Sequence, residues 1–120
     1  ILVIDDEAAV RRVLRQMLEK AGYEVVEAPD GSAGLALYHE HPTDLVITDI
    51  LMPEKEGIET ISTLRKTASR VKIIDICGGG KRGVNKEDVL VSAQAFGAMR
   101  TLVKPFEREE LLAAVRETLA

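Results

Sequence analysis

The sequence predicts an α/β fold, in which helices cover both faces of a parallel β-sheet of five strands. Along the 120 residues, short apolar runs alternate five times with amphipathic stretches of helical period. The runs are nearly continuous in apolar residues, which is typical of strands buried on both faces. Gly and Pro residues punctuate the segments where turns are needed. These observations indicate one domain, residues 1–120, with a doubly wound sheet.

The first strand and the first helix are predicted at residues 1–4 (ILVI) and 8–21. Gly22 ends this helix, because glycine adopts the left-handed conformation without steric cost. The apolar residues of the helix recur at helical spacing and form its predicted buried face, which consists of Val10, Val13, Leu14, Met17 and Leu18.

The second strand is predicted at residues 23–28, the second helix at 31–40 and the third strand at 44–49 (DLVITD). Asp30 precedes the second helix and can cap it, because its side-chain oxygen can accept from an amide of the first turn. The third strand ends at Asp49.

The second half of the chain repeats the alternation. The predicted elements are a helix, a strand, a helix, a strand and a helix, at residues 57–68, 71–77, 86–96, 99–103 and 107–119. The inward positions of the first and last of these helices are Ile58, Ile61, Leu64, Leu111, Leu112, Val115 and Leu119. Residues 78–88 (GGGKRGVNKED), which follow the predicted strand at 71–77, have the composition of a loop.

Composition and charge exclude several classes of protein. The net charge is −4 without a basic stripe, which argues against direct binding of nucleic acid. No apolar run approaches the roughly 18 residues that cross a membrane. The single cysteine favours a reducing compartment, and we expect a cytoplasmic protein. Because the chain begins inside an apolar run, we also expect a few residues to precede Ile1.

Charged residues follow the predicted strands. Asp5 and Asp6 follow the first strand, Asp49 ends the third, and Lys104 follows the fifth. Ligands of open parallel sheets bind at this carboxyl edge. Crowded carboxylates repel one another unless a cation neutralises them, and Mg²⁺ prefers such oxygen ligands. The ammonium of Lys104 can then hold a second anion, so the pattern favours a metal-phosphate site.

Three segments carry a more specific signal: ILVIDDE at the first strand, LVITDILMP at the third and LVKPF after the fifth. With these motifs at matching spacing, the whole chain resembles the receiver domain of bacterial response regulators. The resemblance implies a flavodoxin-like fold with strand order 2-1-3-4-5. It also implies that a histidine kinase or a phosphotransfer protein donates a phosphoryl group to an aspartate, with at most weak self-dephosphorylation.

The resemblance also implies roles for individual residues. Asp49 is then the phosphoacceptor, and Lys104 pairs with the phosphoryl oxygens. Asp6 binds Mg²⁺ directly and Asp5 largely through water, with Asp49 and the backbone carbonyl of Leu51 as further ligands. Effector domains or downstream proteins would dock on the surface formed by the predicted helix 86–96, the fifth strand and the last helix.

Three positions depart from the family pattern. Cys77 stands where the family usually has Ser or Thr, so the thiol should be a weaker switch contact. A redox-sensing thiol is the less favoured alternative, because the nearby acids oppose a low thiol pKa. Thr101 replaces the Tyr or Phe that often flips on activation. Asp75 interrupts the fourth strand. We expect it near the sheet edge or hydrogen-bonded to Thr101.

Two other functions remain open. The altered positions 77 and 101 would also suit a degenerate receiver that binds partners without being phosphorylated. A hydrolase of the haloacid type uses an aspartate nucleophile on a similar sheet. That class needs D-x-D at its nucleophile strand, which neither DDE nor TDI provides.

Overall fold

The computed structural model describes residues 1–49, 56–67, 71–78, 100–104 and 106–120. For Cys77 and Lys104 the description covers the backbone. Leu51 and the predicted helix at residues 86–96 lie outside the described residues. No helix in the described part of the chain is both long and apolar enough to span a membrane.

From β1 to β4 the described strands and helices alternate as the sequence predicts. The strands are β1 (Leu2–Ile4), β2 (Val26–Ala28), β3 (Leu45–Asp49), β4 (Lys72–Gly78) and β5 (Arg100–Lys104). The helices are α1 (Ala8–Lys20), α2 (Gly31–Glu40), α3 (Glu56–Thr67) and α4 (Arg108–Leu119).

All five strands form one parallel sheet in the order β2-β1-β3-β4-β5. This confirms the predicted strand order. β3 lies at the centre and pairs with β1 and β4, and all five of its residues are buried. Because the strands are parallel, their carboxyl ends meet at one edge, where the acidic residues follow.

The two faces of the sheet carry separate hydrophobic clusters, because successive strand residues point to opposite faces. One face carries Leu2, Ile4, Val46 and Ile73 and is packed against α2 and α3. The other carries Val3, Ile47, Ile74 and Ile76 and is packed against α1 and α4. This two-sided burial explains why the strands read as continuous apolar runs.

The end of α1 explains why β2 begins later than predicted. Gly22 has φ +98° and donates its amide to the Glu19 carbonyl oxygen, and the Tyr23 amide donates to the Leu18 carbonyl oxygen. These two bonds form a Schellman motif, so Tyr23 belongs to the helix terminus. The strand predicted from Tyr23 therefore starts only at Val26. The predicted role of Gly22 is confirmed.

The start of α2 agrees with its predicted cap, and the start of α4 has a capping box that was not predicted. Asp30 accepts a hydrogen bond of 2.7 Å from the Ala33 amide at the start of α2. Before α4, Glu107 and Glu110 form a reciprocal capping box, with the Glu107 amide donating to Glu110 Oε1 at 3.2 Å. Among the predicted inward helix positions whose side chains the structure describes, one is wrong: Val13 of α1 is 47% exposed, because the buried stripe runs through Leu14 and Leu18.

Asp75 does not lie at the sheet edge, contrary to the expectation from the sequence. It is fully buried in β4, between Thr48 of β3 and Thr101 of β5 in the register of the sheet. The expected hydrogen bond from Thr101 is also absent, since the buried Thr101 hydroxyl makes no hydrogen bond within the described residues. Three polar residues thus form a row across three neighbouring strands.

Helix α2 approaches β1 closely at Gly34. A Cβ atom at this position would lie 2.8 Å from Ile4 Cγ1 and closer still to Ile4 Cδ1. Real Cβ atoms essentially never show such a contact, and the Ile4 side chain is fully buried. The absence of a side chain at residue 34 therefore sets the distance between α2 and the strand that leads into the acidic residues.

We expect Gly34→Ala to lower the free energy of unfolding by about 1–2 kcal/mol. Overpacking costs about 1–3 kcal/mol, and the better helix propensity of Ala returns up to about 1 kcal/mol. Urea unfolding of Gly34→Ala, Ile4→Val and the double variant measures the coupling. Ile4→Val removes Cδ1, so the alanine should cost less in its presence. Equal costs in both backgrounds would contradict the close contact.

Candidate functional site

Three carboxylates meet at the carboxyl edge of the sheet. Asp5 and Asp6 follow β1, and Asp49 is the last residue of the adjacent strand β3. One oxygen from each carboxylate lies within 4.8 Å of the others. Asp5 is fully buried, Asp49 is 5% exposed and Asp6 is exposed. Two of the three charges are therefore withdrawn from water and held close together.

The spacing of these oxygens fits a small divalent cation. Opposite ligands of octahedral Mg²⁺ are about 4.2 Å apart. The three carboxylate oxygens lie within 4.8 Å of one another, which is close to that separation. Mg²⁺ also keeps several waters, so one carboxylate can bind through water. Exposed acidic clusters also occur without a metal. Here the burial of Asp5 and Asp49 adds to the cost of leaving their charges together, which a cation would relieve.

The backbone around Asp5 is held on several sides. Its amide donates to the Ala28 carbonyl oxygen of β2 at 3.2 Å. Its carboxylate Oδ1 accepts from the Glu7 amide at 2.8 Å, which closes a tight turn over Asp6. Its carbonyl oxygen accepts from Arg11 Nη1 at 2.7 Å. The turn that presents Asp5 and Asp6 is therefore tied to both β2 and α1.

Arg11 belongs to a charged network on α1 and β2. Its Nε donates to Glu27 Oε1 at 3.3 Å, and Arg15 Nη1 donates to Glu27 Oε2 at 2.8 Å. Arg15 also pairs with Glu19 at 3.2 Å, one helical turn away. Hydrogen bonds to Glu27 and then to Glu19 raise the pKa of Arg15 above its ordinary value. Among these four side chains, Arg11 is the one that contacts the acidic turn within the described part of the chain.

The other predicted site residues lie on β4 and β5, beside β3. Asp49 pairs with Ile76 of β4, so the backbone of Cys77 lies one residue beyond the level of Asp49. The Lys104 backbone pairs with Gly78, at the carboxyl end of β5. The sheet thus brings the backbone positions of Cys77 and Lys104 to the same edge as the three carboxylates. Leu51 lies outside the described residues.

Thr101 lies below this edge, at the level of Thr48 and Asp75. Its side chain is half-buried, and its hydroxyl oxygen is buried. Thr48, at the same level of β3, precedes Asp49 and places its hydroxyl 3.5 Å from the Asp49 carbonyl oxygen. One member of the buried polar row, Thr48, is therefore the immediate sequence neighbour of Asp49.

Sequence reasoning missed Arg11 and Glu27. Glu27 is an acid inside the short strand β2, and Arg11 lies six residues after Asp5. A charged residue within an apolar run was a signal that β2 has a polar partner. Arg11 contacts the acidic turn through a backbone carbonyl oxygen, and no sequence pattern indicates such a contact.

Comparisons with known proteins agree with this geometry. The family model described as "Response regulator receiver domain" matches residues 1–116. The chain is 35% identical over 120 residues to the chemotaxis protein CheY of Bacillus subtilis, covering 99% of this chain and 96% of that protein. It is 38% identical to a probable transcriptional regulator, ycf27, of Guillardia theta, covering 99% of this chain and 44% of that protein. Transcriptional regulators of this kind are thus about twice as long.

Solved structures give the same picture. A response regulator receiver domain protein from Clostridium thermocellum superposes with a TM-score of 0.86 at 30% identity, covering 98% of this chain and 91% of that one. The receiver domain of NtrX from Brucella abortus superposes with a TM-score of 0.89 at 27% identity, covering 98% and 96% of the two chains.

Proposed function

The chain belongs to the response regulator receiver domain family of two-component signalling, and from this premise we propose that it accepts a phosphoryl group on Asp49 in a Mg²⁺-dependent reaction. The donor would be a histidine kinase or a phosphotransfer protein in the cytoplasm. The observation that carries the proposal is the cluster of Asp5, Asp6 and Asp49, with Asp49 at the end of the central strand.

The proposed transfer is a displacement at phosphorus. A carboxylate oxygen of Asp49 forms a bond to phosphorus, and the bond from phosphorus to the donor nitrogen breaks. The leaving imidazole nitrogen keeps the electron pair of that bond and takes a proton from the solvent. A carboxylate nucleophile carries no proton to lose, so its attack needs no general base. Its position on a rigid strand, with the adjacent Asp5 backbone held by hydrogen bonds, supplies the orientation that such a displacement requires.

Asp5, Asp6 and Asp49 would hold Mg²⁺, with the Leu51 carbonyl as a further ligand. The bound ion would neutralise charge on the phosphoryl oxygens. We assign Lys104 the pairing with those oxygens, for which its backbone position at the end of β5 is suitable. Each of these groups compensates for the weakness of a carboxylate as a nucleophile.

The switch that follows phosphorylation would differ from the usual family arrangement. Cys77 offers a thiol, which is a weak hydrogen-bond donor, where a hydroxyl is usual. Thr101 has no ring to flip. We therefore propose that phosphorylation is coupled only weakly to the partner-binding surface formed by the predicted helix 86–96, β5 and α4. The exposed Arg100–Glu117 ion pair joins β5 to α4 on that surface.

A phosphorylation-independent interaction module is the second candidate, and the altered residues 77 and 101 are the observation that favours it. Incubation with acetyl phosphate and Mg²⁺, followed by intact-protein mass spectrometry, separates the two. We expect one phosphoryl group per chain, removed by hydroxylamine as an acyl phosphate would be. An unmodified chain under these conditions and with a histidine kinase would favour the second candidate. Multiple turnover of a phosphomonoester would instead revive a hydrolase.

A further inference from the structure

Arg11 occupies a bridging position between α1, β2 and the acidic turn. Its side chain is 17% exposed, and that of Glu27 is 25% exposed, so both charges are largely removed from water. The guanidinium serves two different acceptors with two of its nitrogens: Nη1 donates to the Asp5 carbonyl oxygen and Nε to Glu27 Oε1. A fixed fork of donors can satisfy two such acceptors at once.

We propose that Arg11 is a positioning residue for the metal site: anchored by Glu27, it fixes the Asp5 carbonyl oxygen and so holds the Asp5–Asp6 turn in its ligand-presenting shape. The inference rests on the proposed Mg²⁺-dependent function. It adds a residue outside the three carboxylates that determines the affinity for the metal. The backbone of Asp5 is then held at both of its polar groups, by the Ala28 carbonyl at its amide and by Arg11 at its carbonyl.

Charge alone would give Arg11 the opposite role. A guanidinium close to a cation site repels the cation, so its removal should tighten metal binding through electrostatics. Positioning predicts weaker binding, because the turn loses the hydrogen bond that selects its shape. Residues that orient metal ligands from outside the ligand shell typically change affinity by about 10–100-fold when mutated. The sign of the change therefore distinguishes the two roles.

Arg15 provides a matched control. It lies on the same helix, carries the same charge and binds the same carboxylate, with Nη1 2.8 Å from Glu27 Oε2. Its recorded contacts are with Glu27 and Glu19, and none reaches the Asp5–Asp6 turn. Arg15→Ala therefore removes a cation and one partner of Glu27 while it leaves the bond to the Asp5 carbonyl in place.

The experiment measures Mn²⁺ binding by the electron paramagnetic resonance signal of the free ion, for the wild-type chain and three variants. We expect Arg11→Ala to weaken binding about tenfold, and Arg11→Lys to give an intermediate loss because it keeps the charge without the fork. Arg15→Ala should stay within about twofold of wild type, since surface charge effects of this kind are small. Circular dichroism and thermal melting verify that each variant is folded.

A second readout does not involve metal. In the metal-free protein, the Glu7 amide donates to Asp5 Oδ1 and should be protected from hydrogen exchange. Arg11→Ala should accelerate its exchange, and Arg15→Ala should not. Equal or tighter Mn²⁺ binding by Arg11→Ala, or an equal loss in Arg15→Ala, would overturn the positioning role. Failure of the wild-type chain to bind Mn²⁺ would instead overturn the proposed function itself.

Discussion

Asp49→Asn is expected to reduce phosphoryl uptake from acetyl phosphate by at least about a thousandfold, the order of loss that follows removal of a nucleophile. The amide has nearly the shape of the carboxylate but no ionised oxygen to attack phosphorus. Asp49 is 5% exposed at the end of the central strand, and the change relieves repulsion with its acidic neighbours. The variant should therefore fold and lose only the reaction. Intact-mass spectrometry after a timed incubation measures the rate.

Asp44→Asn is the matched control for this variant. Asp44 immediately precedes the same strand at its other end and is exposed, so the substitution removes one charge far from the cluster. Its uptake should equal that of wild type. Modification of Asp49→Asn at the wild-type rate would show that another residue is the acceptor, and peptide mapping would then locate it.

Removal of divalent cations with EDTA is expected to slow phosphorylation on the order of 10³-fold. A bound cation contributes several kcal/mol to the stabilisation of a phosphoryl-transfer transition state. Asp6→Asn should cause a similar loss at limiting Mg²⁺, because it removes the exposed member of the cluster. The rate is measured as a function of Mg²⁺ concentration at constant ionic strength.

The free energy of unfolding provides an independent measure of Mg²⁺ binding. Mg²⁺ at ten times its dissociation constant should raise the free energy of unfolding by about 1.4 kcal/mol. Asp6→Asn should lose this response at that concentration. Glu7→Gln is the control, because Glu7 is exposed beside Asp6 but contributes no ligand atom to the cluster. Phosphorylation that persists unchanged in EDTA would refute a metal-dependent reaction.

The order of the elements could be predicted because each carries a strong local signal. β3 is buried on both faces and begins with three consecutive apolar residues, LVI. The cap formed by Asp30 was visible as a polar residue before a helical pattern. The three acids could be placed together for a topological reason. Parallel strands share a carboxyl edge, so residues distant in sequence meet there without any local signal of contact.

The predictions that were wrong or missing concern contacts that cannot be read from a single sequence. The start of β2 was misjudged because the backbone bonds of Gly22 and Tyr23 extend the end of α1. Val13 fits the apolar pattern of α1 but lies outside the stripe that meets the sheet. Arg11 was missed because its partner in the acidic turn is a backbone carbonyl, which every residue possesses.

The strand order also determines when this site can exist during synthesis. Of the five strands, β1 leaves the ribosome before the others, yet its residue Leu2 pairs with Val46 of β3. Asp5 and Asp6 therefore have no neighbouring Asp49 until the third strand has emerged, after two helices and another strand. The crowding of the three carboxylates arises only when this long-range pairing closes, a step that is slower than local helix formation. A nascent chain that ends before β3 carries the first two acids but lacks Asp49, and therefore lacks the cluster.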